Sequence, residues 1–123
     1  MSAALKGAVI GCGRMGAFTS ASVREWGPDC FLPSAHAEAI AMADGADLVA
    51  LCDASSENLA RAGDHYAVEK RYTDHTELLA QETPDLIGLA TRTIGRAGII
   101  QDCIAAGARA LHLEKPLCNS VAE

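Results

Sequence analysis

The chain has 123 residues, half of them apolar and 21% charged, with a net charge of -6. That length suffices for one domain with a real core, and the acidic balance argues against nucleic acid or an anionic membrane surface as the main partner. It leaves room for a phosphate-bearing small molecule, because local N–H groups and single cations decide such a contact.

Residues 6–10 read as a first strand: a small and β-branched run without polar alternation, as in a parallel strand covered on both faces. Gly11-Cys12-Gly13-Arg14-Met15-Gly16 follows as a turn, with a helix expected from about Arg14. Residues 17–24 are compatible with helix, but Trp26-Gly27-Pro28-Asp29-Cys30-Phe31-Leu32-Pro33-Ser34 is not, because two prolines and a glycine interrupt it. A second helix is expected to open with Ser34 as N-cap and to run to about Ala43. The first crossover is therefore read as two helical pieces joined by an aromatic-bearing loop, with an insertion at about residues 19–34. Ala46–Cys52 is the second strand, closed by Asp53. Ser55 caps the next helix, on which Leu59, Ala62, Gly63 and Tyr66 share one apolar face. Lys70-Arg71-Tyr72 is a short third strand. Asp74-x-x-Glu77 resembles a capping box, and Glu82-Thr83-Pro84 ends the helix it opens. Residues 85–90 form the fourth strand. A helix over 95–106 follows, with Ile100, Cys103, Ile104 and Gly107 on one face and Gly107 as C-cap. Residues 109–113 are the fifth strand, and Asn119-Ser120-Val121-Ala122-Glu123 reads as the first turn of a further helix. Strand and helix alternate throughout. That pattern predicts an α/β fold of Rossmann type: a doubly wound parallel sheet in the order 3-2-1-4-5, one domain over residues 1–123.

The chemistry starts at Gly11, Gly13 and Gly16. In a Gly-x-Gly-x-x-Gly turn after a strand, the first glycine permits the tight turn. The second admits a pyrophosphate to the backbone, and the third lets the helix pack closely. Asp53, at the end of the second strand, is placed to accept both hydroxyls of an adenosine ribose and to repel a 2′-phosphate. NAD is thereby favoured over NADP. Asp53 lies 42 residues beyond Gly11, against about 20 in the usual fingerprint, and the inserted segment accounts for the excess. The alternative is a turn aspartate. Strand order reverses between strands 1 and 4, so the loops at 11–16, 91–96 and 114–116 face one crevice. Lys115 is the lysine expected there. An ammonium at that place holds a substrate hydroxyl or the cofactor amide and stabilises alkoxide charge; the alternative is a surface lysine.

These motifs, with Tyr72-Thr73-Asp74, Ala90-Thr91 and Glu114-Lys115-Pro116-Leu117, resemble the N-terminal domain of the glucose–fructose oxidoreductase/inositol dehydrogenase (Gfo/Idh/MocA) family. The resemblance covers nearly the whole chain apart from residues 19–34, and Glu114-Lys115-Pro116 is its most specific element. It implies a nicotinamide-dependent oxidoreductase acting on a sugar, cyclitol or related small molecule. Gly11, Gly13, Arg14, Met15 and Gly16 would meet the pyrophosphate, and Asp53 would hold the adenosine ribose. Thr91 would line the nicotinamide ribose. Glu114 and Lys115 would sit beside nicotinamide and substrate, with Lys115 closest to catalysis. The alternative function is a non-catalytic module that binds and senses NAD(H).

Two departures from the family stand out. Where the family often has Thr-Pro-Asn-x-x-His, this chain reads Thr91-Arg92-Thr93-Ile94-Gly95-Arg96. Arg92 or Arg96 would favour an anionic substrate if either faced the site, and otherwise they are solvated surface arginines. The family's sixth strand and C-terminal substrate domain are also missing, so the expectation is a cofactor-binding part that does not turn over substrate alone. Strand 5 would then be an apolar edge prone to self-association. Trp26 and Phe31 are read as a lid over the crevice or as packing on the first helix.

The five cysteines, Cys12, Cys30, Cys52, Cys103 and Cys118, contain no C-x-x-C pair and are odd in number. They read as reduced thiols of a cytoplasmic protein rather than a disulfide framework or metal site. His36, His65, His75 and His112 show no metal-ligand spacing and read as scattered or core-edge residues. No signal peptide or membrane span is expected.

Overall fold

Four apolar runs and the short polar Lys70–Tyr72 pair as one parallel sheet in the order β3-β2-β1-β4-β5. The strands are β1 (Leu5–Ile10), β2 (Ala46–Cys52), β3 (Lys70–Tyr72), β4 (Leu86–Leu89) and β5 (Ala110–Leu113). The computed structural model describes residues 3–123, and the side chains of all of these except 19–22. Side chains alternate across a strand, so each apolar run feeds two layers. On one face Ala8, Ile10, Ala50, Cys52, Ile87 and Leu89 meet Leu78, Leu79 and Cys103, which come from α4 (His75–Glu82) and α5 (Arg96–Ala105). On the other, Val9 and Leu51 meet Ala37 and Ile40 of α2 (His36–Met42) and Leu59 and Ala62 of α3 (Ser56–Tyr66). Leu51, Leu78, Ile87 and Leu89 are fully buried, each contributing about 2–3 kcal/mol of transfer free energy.

Local signals set most of the boundaries. The Ser55 hydroxyl accepts from Asn58 N at 3.3 Å and caps α3. Asp74 caps α4 through Thr76, whose N and Oγ1 donate at 2.8 and 2.7 Å, rather than through the Glu77 partner of a capping box. Ala35, not Ser34, occupies the N-cap of α2, so that helix begins one residue later than the serine signal predicts. His36, Ala37, Glu38 and Ile40 of this helix are buried. On α5 Cys103 faces the core with Ile99 and Ile100, while Ile104 is 63% exposed and lies off the predicted face. Residues 119–121 form a bend, with Glu123 N donating to Ser120 Oγ at 3.4 Å, and not a helical start.

The first crossover contains a π-helical turn (Arg14–Phe18), then α1 (Thr19–Trp26), a single 3-10 turn (Asp29–Phe31) and α2. Arg24 pairs with the buried Glu38, which ties α1 to α2. The Tyr66 hydroxyl donates to Ala17 O and joins the same crossover to α3. Trp26 is 73% exposed and Phe31 54%. Neither covers the crevice described below, so the lid expectation is not met. The peptide bonds Leu32–Pro33 and Lys115–Pro116 are cis. Among the described residues no helix is long and apolar enough to cross a membrane.

Candidate cofactor site at the sheet's switch point

β1 ends at Ile10, and its C-terminal end lies between β2 and β4, where the strand order reverses. Each of the three motif glycines has a different local demand. Gly11 has φ +96°, and a Cβ there would sit 2.6 Å from the Ala90 carbonyl carbon. A Cβ on Gly16 would lie 1.7 Å from Gly11 O, so only glycine lets the chain fold back onto the strand end. Gly13 has no atom within 4 Å of where a Cβ would be. Its backbone is open on that side, as close approach by a phosphate requires. The chain then widens into the π-helical turn, with Ala17 N and Phe18 N both donating to Gly13 O at 2.9 and 3.3 Å.

Asp53 is fastened to this turn. Its Oδ2 accepts from Cys12 N at 2.7 Å and its Oδ1 from Ser55 N at 2.7 Å. A carboxylate has about four acceptor positions, so two remain for hydroxyl donors. The neighbouring thiols are not reactive. Burial first, and the Asp53 charge second, push Cys12 and Cys52 up to about 12, and burial pushes Cys103 up to about 11. These thiols stay protonated at neutral pH. All five cysteines are unbridged.

The opposite wall comes from the end of β4, with the end of β5 fastened behind it. Thr91 Oγ1 is buried and has no protein partner. Arg96 is 3% exposed, and its guanidinium donates to Thr91 O, to Glu114 O at 2.6 Å and to Pro116 O at 2.5 Å. It therefore fastens both loops from within and does not face solvent, which removes it as a receptor for an anionic substrate. Arg92 is exposed and does line the cleft. Glu114 is held at three points. Its N donates to Leu89 O at 3.1 Å, its O accepts from Arg96, and its Oε1 lies 2.9 Å from His36 Nε2. Burial, the dominant cause, lowers the His36 pKa, against the opposing hydrogen bond from Glu114. Lys115 is exposed beside this fixed glutamate.

Between the two walls lies a cleft of about 480 Å³, with Gly11, Gly13, Asp53, Asn58, Thr91 and Arg92 in its lining. Arg14 lines an adjoining hollow of about 430 Å³ with Arg61 and Asn58. Met15 is 40% exposed, and Gly16 is buried beneath the turn. Glu114 and Lys115 stand beyond the cleft lining, at the end of β5. Two residues that shape the site, His36 and Arg96, are missed by motif reasoning. His36 is an isolated imidazole in an alanine-rich helix, and Arg96 reads as an anion receptor or a solvated arginine, not as a buried fastener. Only the three-dimensional pairing reveals them. Among the described residues no cluster of three potential metal ligands exists.

The open Gly13 backbone, the spare acceptor positions of Asp53 and the unpartnered Thr91 Oγ1 together fit a long ligand with a central anion and hydroxyls toward both ends. A match to the family described as an oxidoreductase family with an NAD-binding Rossmann fold, GFO_IDH_MocA, extends over residues 5–123. The chain belongs to this Gfo/Idh/MocA family. It is 32% identical over 118 residues to D-apiose dehydrogenase of Paraburkholderia graminis, covering 96% of this chain and 27% of that protein. Among solved structures it is similar to an oxidoreductase from Agrobacterium radiobacter in complex with NAD+, L-tartaric acid and magnesium. There the identity is 27%, the TM-score 0.70, and the coverage 96% of this chain and 29% of the other. A probable dehydrogenase from Thermotoga maritima gives 28% identity and a TM-score of 0.74, with coverage of 96% and 30%. The chain thus spans a little over a quarter of the length of these Gfo/Idh/MocA relatives.

Proposed function

We propose that this chain is the NAD-binding domain of an oxidoreductase acting on a sugar, cyclitol or related small molecule. The observation that carries this reading is the Asp53 carboxylate, held against the glycine turn by Cys12 N and Ser55 N and facing the cleft. The adenosine ribose would lie at Asp53 and the pyrophosphate over Gly11 and Gly13, with Arg14 and Met15 at its margin. Gly16 supports that turn from beneath. The nicotinamide ribose would reach Thr91, whose buried hydroxyl has no protein partner. NAD, when bound, supplies the hydride acceptor. Lys115 is the residue we place nearest the substrate. Its ammonium would donate to a substrate hydroxyl oxygen and stabilise negative charge that builds there, with the Glu114 backbone held beside it by Leu89 O and Arg96.

Asp53 favours NAD over NADP, because a 2′-phosphate would meet a carboxylate of like charge. The substrate class rests on the family and on the D-apiose dehydrogenase relative. Since the chain matches about a quarter of that relative, we further propose that these 123 residues bind cofactor without turning over substrate. β5 lies at the edge of the sheet, and we propose that this edge allows self-association at high concentration. The cofactor reading is tested by titrating the chain into NADH and into NADPH while following nicotinamide fluorescence. NADH should bind at least about tenfold more tightly, as repulsion of a single buried-edge charge implies. Tighter binding of NADPH would overturn the role given to Asp53.

A further inference from the structure

We infer that His36 is a positioning residue for the nicotinamide end of the cleft, acting through its hydrogen bond to the Glu114 carboxylate. This rests on the cofactor reading above and adds a residue from the far side of the sheet, 78 positions away in sequence. The His36 side chain is 2% exposed and that of Glu114 19%, with Nε2 and Oε1 2.9 Å apart. A carboxylate oxygen only accepts, so the imidazole proton sits on Nε2.

The other ring nitrogen shows what the contact costs. Nδ1 is buried with no hydrogen-bond partner. A leucine would fill the same space without leaving a polar atom orphaned. A histidine that serves packing alone is therefore a poor choice here, and the ring's single bond goes to Glu114. Protonation would add a second N–H with nothing to receive it, so the neutral form is the one that fits. The ring packs against β4 and β5, beside a small cavity of about 130 Å³. A Cβ on Gly88 of β4 would lie 2.9 Å from Nδ1, and the His112 ring of β5 lies 4.5 Å away, centroid to centroid.

The consequence falls on Lys115. The Glu114 backbone is already pinned at both ends, by Leu89 O and by Arg96. His36 fixes its side chain as well, so the carboxylate next to the exposed lysine keeps one orientation. In the NAD-bound protein this end of the crevice would receive the nicotinamide, with adenosine and pyrophosphate held at Asp53 and the glycine turn. His36 should thus affect one end of the ligand and not the other.

The test uses the whole chain and two ligands, NAD and ADP-ribose, the latter lacking nicotinamide, titrated by calorimetry into the unaltered chain, His36→Leu and His36→Gln. The unaltered chain should bind both. His36→Leu should weaken NAD on the order of tenfold and leave ADP-ribose within about twofold, the loss expected for one charge-assisted hydrogen bond. His36→Gln keeps a donor of similar reach and should recover NAD affinity to within about threefold. Equal weakening of both ligands by His36→Leu would mean a packing role and overturn the inference. So would no change in either, or a glutamine variant as weak as the leucine one. If His36→Leu fails to fold, Glu114→Ala carries the same split: NAD weakened, ADP-ribose not, with an equal effect on both overturning it. An unaltered chain that binds neither ligand defeats the cofactor reading itself, and that outcome is visible before any substitution is made.

Discussion

On the β1–β2 side of the cleft, position is set by the backbone. Gly11 sits at φ +96°, Gly16 lies against Gly11 O, and one carboxylate is received by the N–H groups of Cys12 and Ser55. On the β4–β5 side, position is set by two buried side chains, His36 and Arg96, that reach loops far away in sequence. At Gly11 and Gly16 the first side cannot tolerate an added atom. The second cannot tolerate a lost donor. Substitutions that add volume and substitutions that remove hydrogen bonds should therefore damage opposite sides of the same site.

The largest effect is expected from added volume. Gly16→Ala would drive a methyl group into Gly11 O and should destabilise the fold by about 3 kcal/mol or more. Gly13→Ala meets nothing within 4 Å and should change stability by no more than about 0.5 kcal/mol, while still obstructing the ligand. Urea unfolding of both variants checks the contrast, and equal stability losses would break it. Next comes Arg96→Leu, which strips the donors from Thr91 O, Glu114 O and Pro116 O. A loss of about 2–4 kcal/mol is expected from these stranded acceptors. Arg96→Lys should recover only part of it, because an ammonium lacks the planar fork. Thermal melts of the two variants measure this directly.

That asymmetry also explains how much the sequence discloses. The parallel sheet, its order and the glycine turn are legible because each depends on residues close together in the chain: apolar runs, a Gly-x-Gly-x-x-Gly spacing, an acid at a strand end. Asp53 is legible for the same reason, even with the insertion between it and Gly11. His36 and Arg96 are not, because their partners become neighbours only when the sheet forms. Arg96 reads as a substrate-anion receptor or a surface cation, and the fold instead buries it among carbonyls that no local pattern announces. Ile104 shows a smaller version of the same limit: its spacing fits the α5 face, but α5 turns it toward solvent.

Smaller effects sharpen the comparison further. Asp53→Ala frees Cys12 N and Ser55 N and should cost about 1–2 kcal/mol of stability, together with most of the preference for NAD over NADP. Paired urea and NADH/NADPH titrations separate the two consequences. The smallest effect concerns pH. His36 faces Glu114 and His112, and its pKa in the folded chain is lowered, chiefly by burial, from the ordinary 6.5. The unfolded chain then binds the proton more readily. Stability from this group is fully present above about pH 6.5 and falls as the pH drops toward the lowered value. The His36→Gln variant should show a flatter stability profile between pH 7 and 5, and an unchanged slope would contradict the burial argument.

Residue-by-residue NMR of the isotopically labelled 12.8 kDa chain during titration with NAD tests the central claim most directly. The account predicts amide shifts at Gly11, Cys12, Gly13 and Ser55 on one side and at Thr91, Glu114 and Lys115 on the other, within one binding event. Shifts confined to a different surface, or no shifts at millimolar NAD, would contradict it.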